Sequence, residues 1–128
     1  MGSSDGRGHG KLELLDLSSL TWESRTPYFT DLMEFGTLVY EENMFVFGGY
    51  TFKDHNGSLD AIRSYNPKTD TWTDRGRLLQ THYFHDVIFS SEFFLVLGDG
   101  EKHESEKCSF DGNSFVCEQQ ETIFGSVE

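Results

Sequence analysis

The chain has 128 residues, 36% of them hydrophobic and 15% aromatic, with 12 Phe. That is the length of one domain, and a chain this rich in Phe buries too much area to stay disordered. Its net charge of -12 argues against nucleic acid or an anionic membrane as the main partner, since phosphate contacts need clustered Lys and Arg, and no apolar run approaches the ~20 residues of a membrane-spanning helix.

Residues 1–10 lack the apolar stretch of a secretory signal. Gly6 stands where a myristoylation site needs Ser or Thr, so the segment reads as a flexible leader. Short strands follow. Leu12–Leu15 and Thr21–Ser24 form one pair, of types c and d. Thr37–Tyr40 (a), Met44–Phe47 (b), Ala61–Tyr65 (c) and Thr71–Thr73 (d) come next. Val87–Phe89, Phe93–Leu97, Lys107–Phe110 and Phe115–Glu118 repeat the a–b–c–d order. The b strands are continuous apolar runs, the pattern of a strand buried on both faces. No helical period is present.

An internal repeat organises these strands. At an offset of 50, Leu15–Trp22 falls on Tyr65–Trp72, Leu38-Val39 on Ile88-Phe89, and Met44–Gly48 on Phe94–Gly98. At an offset of 45, the c–d turn appears again in Phe110–Cys117. The connections Asn66-Pro67-Lys68-Thr69 and Asp111-Gly112-Asn113-Ser114 are four-residue hairpin loops with turn chemistry.

Phe47-Gly48-Gly49, then Tyr65-Asn66-Pro67, then Trp72 six residues after Asn66, resemble the kelch repeat. The first unit meets the pattern in part through Asp16 and Trp22. The last unit has Gly98-Asp99 in place of Gly-Gly, and His85 matches the strand-a His of the family. The resemblance covers roughly residues 11–119. It implies an all-β fold, an incomplete β-propeller of four-stranded antiparallel blades. The resulting divisions are a leader (1–10), a c–d half-blade (11–24), a kelch blade (36–74), a second blade carrying a cysteine pair (84–119), and a tail (120–128) that begins a further strand a.

Superposed on the preceding hairpin, Cys108 and Cys117 take the places of Arg63 and Trp72. With that hairpin closed by Tyr65 and Asp70, the two cysteines face each other across the strands, close enough for a disulfide. The bond then replaces the Trp packing of the other units. Two buried reduced thiols are the alternative, and the pair offers too few ligands for a metal. A disulfide, with the glycosylation sequon Asn56-Gly57-Ser58, points to an extracellular or secreted protein, with a cytoplasmic location as the alternative. Residues 101–107 read as a solvated, charged b–c loop. Trp22 and Trp72 read as equivalent packing residues.

The resulting expectation is a non-enzymatic protein-binding or structural module, with no cofactor and no metal, completed by self-assembly or by a larger chain. The b–c and d–a loops share one face, where kelch proteins commonly bind partners. Here that face carries Arg25, Lys53, His55, Arg75, Arg77, His82, Glu101 and His103. An intracellular kelch-type substrate receptor is the first rival, and a galactose-oxidase-like enzyme the second. Apolar ends are also expected, with Leu12, Leu14, Leu15 and Leu17 presented by the first hairpin and Phe124 near a sheet edge.

Overall fold

The computed structural model describes residues 11–28, 32–51, 57–81, 86–90, 92–97 and 105–120. Among these residues there are twelve strands and no helix. β1 (Leu12–Asp16) and β2 (Thr21–Arg25) form a hairpin that is a sheet of its own. β3 (Gly36–Tyr40) and β4 (Asn43–Phe47) lead into a small ribbon, β5 (Tyr50–Thr51) with β6 (Gly57–Ser58). β7 (Ala61–Asn66) and β8 (Thr71–Arg77) then return to the sheet, giving the antiparallel order β3-β4-β7-β8. β9 (Asp86–Ser90), β10 (Phe93–Leu97), β11 (Ser105–Phe110) and β12 (Phe115–Gln120) build a second sheet in the same a–b–c–d order. The chain is all-β, with two four-stranded antiparallel sheets of the propeller-blade kind.

Local chemistry sets the turns. Asp16, Asn66 and Asp111 each use a side-chain oxygen to cap the c–d turn they head. Asp16 Oδ1 accepts from the Ser18 amide at 2.8 Å, Asn66 Oδ1 from Lys68 at 2.9 Å, and Asp111 Oδ1 from Asn113 and Ser114, both at 2.8 Å. Leu20 and Asp70, 50 residues apart, both close their turns in the left-handed region, with φ 57° and 54°.

The hairpin register differs from the sequence expectation. β7–β8 closes on Asn66 and Thr71, so Tyr65 faces Trp72, and beyond the turn Arg63 faces Asp74 rather than Trp72. A bulge between Ile62 and Arg63 lets β8 run on to Arg77, past the expected end at Thr73. The β5–β6 ribbon was not expected either, because two-residue strands carry no period to read.

The Gly-Gly pair ends β4 with both residues at positive φ, and at Gly49 the surroundings leave no room for a side chain. Gly49 has φ 106°, and a Cβ on it would stand 2.9 Å from Leu32 Cδ1, 3.0 Å from Phe35 Cβ and 3.1 Å from the Met33 carbonyl. Met33 pairs with Tyr50 across this point, through backbone bonds of 3.0 and 2.9 Å. The approach to β3 is thus strapped over the exit of β4.

The core lies between the two blades. Phe45, Phe47 and Ile62 of the first blade meet Val87, Phe94, Val96, Cys108 and Phe115 of the second, all buried. The Phe115 ring stands 5.6 Å from both Phe45 and Phe47, 5.1 Å from Phe94 and 4.6 Å from Phe110. Each buried Phe contributes about 1.5–3 kcal/mol through area and each such ring pair about 0.5–1.5 kcal/mol more. Gly76 makes the approach possible, since a Cβ there would stand 3.0 Å from the Phe115 carbonyl.

Gly49→Ala is expected to destabilise the fold by about 2–4 kcal/mol, from a strained φ together with the contacts at 2.9–3.1 Å. Gly57→Ala, with nothing within 4 Å of the added Cβ, is expected to stay near wild type. Urea denaturation of the two variants checks the contrast.

Candidate partner-binding faces

Sheet register identifies equivalent positions more surely than residue offset. In the first blade one rung reads Val39, Met44, Tyr65, Trp72. The matching rung of the second blade reads Phe89, Phe94, Cys108, Cys117. In the lone hairpin, Leu15 faces Trp22 one rung before the turn, as Tyr65 faces Trp72. Leu15–Trp22, Tyr65–Trp72 and Cys108–Cys117 therefore occupy one position in three successive units.

Cys108 and Cys117 are disulfide-bonded, with Cα atoms 4.0 Å apart. Cys117 stands where Trp72 does, as expected. Cys108 stands where Tyr65 does, not where Arg63 does, because β11–β12 continues two rungs beyond the cysteines before turning and β7–β8 only one. The sulfurs and the Glu106 carboxylate lie within 4.8 Å of one another, but disulfide sulfurs are not thiolate ligands.

In the first blade this rung is held by a network that the motif alone did not show. Asp70 accepts hydrogen bonds from the Tyr65 hydroxyl (2.7 Å) and from the Thr26 amide (3.0 Å) and hydroxyl (2.9 Å). Trp72 Nε1 donates to the Thr26 carbonyl at 2.7 Å, and Tyr28 packs edge-on to Trp72 at 5.5 Å. The Thr26 amide, with the Tyr65 and Thr26 hydroxyls, holds the Asp70 carboxyl below its ordinary value. Burial first, then the bond to Asp70, pushes the Tyr65 hydroxyl up to about 12.

The next rung on the same face carries charge into the interior. Arg63 is fully buried, with its guanidinium 4.2 Å from the Tyr28 ring centre and Nη2 3.4 Å from the Gly48 carbonyl. Burial lowers its pKa, and Tyr28 and Asp74 oppose that shift. Glu106 takes the same position in the second blade, also fully buried, and accepts the Leu79 amide at 2.5 Å. Glu106 falls within the stretch 101–107 expected as a solvated loop. It belongs to β11 instead and anchors the linker between blades.

The loop-face residues separate. Arg77 pairs with Asp60 at 2.8 Å and remains 75% exposed. Arg75 points the other way, donating to Ser64 Oγ (2.8 Å) and to the Asn113 carbonyl (3.1 Å), so it ties the blades together instead of facing a partner. Arg25 is largely covered, 3.6 Å from Glu23, in a cleft with Leu12, Tyr65, Met44 and Pro67. Gly48 and Gly49 end β4 as the motif requires. Lys53, His55, Asn56, His82, His85, Gly98, Glu101, His103 and Phe124 lie outside the described residues.

Among the described residues, two apolar faces are open. Leu12, expected at the surface, is buried in that cleft. Trp22, expected to pack like Trp72, is 64% exposed, because the hairpin meets the first blade through the other face, that of Leu12 and Leu14. On the second blade, the side turned away from the first carries Ile88, Leu95 and Val116. Ile88 is 45% and Val116 73% exposed there. Those positions match Leu38, Phe45 and Thr71 of the first blade, where Leu38 and Phe45 pack under the second blade.

Residues 33–78 match the family model of the kelch motif. No curated protein matches the chain.

Reduction of the disulfide, or the paired change Cys108→Ser with Cys117→Ser, is expected to cost about 2–3 kcal/mol, as for a short closed loop. Guanidinium melts with and without a phosphine reductant measure it. The sign of the Asp70 shift is equally definite. A folded-state pKa below the unfolded value gives stability that is present above the unfolded pKa of ~3.9 and lost as pH falls through the folded value. Asp70→Asn is expected to flatten this acid limb of a stability–pH curve. An unchanged limb contradicts the role of the Thr26–Asp70–Tyr65 network.

Proposed function

We propose that this kelch-repeat chain is a non-enzymatic protein-binding module, a partial propeller that is completed by contact with further blade units, either in copies of itself or in a larger chain. One observation carries the reading. Blades bury apolar faces only against neighbouring blades, and here two such faces, around Trp22 and around Val116, are open. The kelch motif over residues 33–78 supports a protein-interaction role. The disulfide favours an oxidising, extracellular compartment.

Sedimentation equilibrium across a wide concentration range tests the self-completing form. Species heavier than one 14.7 kDa chain are expected, growing with concentration. A single monomeric species up to millimolar concentration overturns self-completion.

A further inference from the structure

Resting on that reading and going beyond it, we propose which surfaces meet. Copies associate head to tail, with the Leu15–Trp22 face of one hairpin seated on the Ile88–Leu95–Val116 face of the next copy's second blade.

The joint already exists once within the chain. The forward face of the first blade, Leu38, Phe45, Phe47 and Ile62, is covered by the backward face of the second, which presents the rung Phe89, Phe94, Cys108, Cys117. Every such joint needs one forward and one backward face. The second blade keeps an uncovered forward face, with Ile88 and Leu95 at the positions of Leu38 and Phe45. The hairpin keeps a backward face on which Trp22 is exposed and Leu15 half-buried among the described residues, and Leu15–Trp22 is the rung equivalent to Tyr65–Trp72 and Cys108–Cys117. Its opposite face, Leu12 and Leu14, is already used against the first blade. The two open surfaces are therefore a backward and a forward face of the same kind of joint, the two-stranded hairpin matching the β11–β12 side of the receiving face around Val116, and a second copy is the partner that supplies both.

Chemistry agrees with this assignment. Trp22, 64% exposed, is the largest apolar side chain on the hairpin face, and Trp is among the residues enriched as interface anchors. Glu13 flanks it on the same face, whereas Lys107 lies on the receiving face beside Phe93, with Nζ 4.6 Å from the ring centre and 3.8 Å from Glu118, a pair that a second carboxylate would share. The contact joins unlike surfaces, so it builds a ring if the rotation closes and a filament if it does not. Copies with a net charge of -12 repel one another, so added salt strengthens the association.

Crosslinking tests the pairing. Both native cysteines are bonded, so only introduced thiols react. Ser24→Cys lies beside Trp22 on the hairpin face, and Ser109→Cys lies opposite Val116 on the blade face. A short bis-maleimide is expected to join a Ser24→Cys copy to a Ser109→Cys copy in the mixture, with no product from either variant alone. Trp22→Ser and Val116→Glu, both at exposed positions, are each expected to abolish association without shifting the thermal midpoint of the fold. Association that persists in these variants, or that crosslinks only like copies, overturns the face assignment but leaves self-completion standing. A monomer under all conditions overturns both.

Discussion

The stack of aromatic rings between the two blades is the constraint on which the rest depends. Phe115 reaches from the last strand to touch Phe45 and Phe47 of the first blade, with Phe94 and Phe110 beside it. For rings to meet at such distances the sheets must approach closely, and they do so where Gly76 has no side chain. The β8 bulge next to Gly76 places Arg75 so that it can reach both Ser64 and Asn113, locking the outer strands of the two blades together. Packing, bulge and hydrogen bonds thus serve a single joint.

Close approach of two sheets has an electrostatic consequence. It buries Glu106, while Arg63, on the other face of the first blade, is buried under Tyr28, and a buried charge is tolerated only when it is well partnered. Arg63 lies against the Tyr28 ring and near the Gly48 carbonyl. Glu106 accepts the Leu79 amide. In both cases a charged side chain fixes a connecting segment, the 26–28 strand exit or the inter-blade linker, relative to a sheet. Side-chain charge here specifies where the connections run, while the apolar face supplies the stabilisation.

The repeat made the fold legible. Fixed offsets, turn residues and apolar b strands placed all ten blade and hairpin strands and their order, because these features are local. Cysteine opposition was legible for a less direct reason. The assumed closure at Tyr65 and Asp70 was wrong by one residue, yet the loop Asp111–Ser114 by itself sets Cys108 across from Cys117. The register of β7–β8 depended on a bulge that no residue pattern announces. The burial of Arg63 and Glu106 is not legible in the sequence, because a charged residue in an acidic chain looks solvated until the segment or sheet that covers it is known. Trp22 was misjudged for the converse reason. Its position in the repeat was right, but exposure depends on what covers a face, and its hairpin uses the opposite one.

The three versions of the equivalent rung show how the units divide the work. In the first blade Tyr65 and Trp72 are covered on one side by the 26–28 segment and the sheet is covered on the other by the second blade, so packing and the Asp70 network hold the hairpin. Among the described residues the second blade has its inner face covered, and β12 is an edge strand with Val116 open to solvent. Its hairpin therefore lacks the outer cover that the 26–28 segment gives β7–β8. A covalent bond across β11–β12 offsets that loss without needing a neighbour, because it constrains the unfolded chain instead of adding contact area. The lone hairpin has neither device. Its equivalent rung leaves Trp22 64% exposed, with Leu15 half-buried beside it.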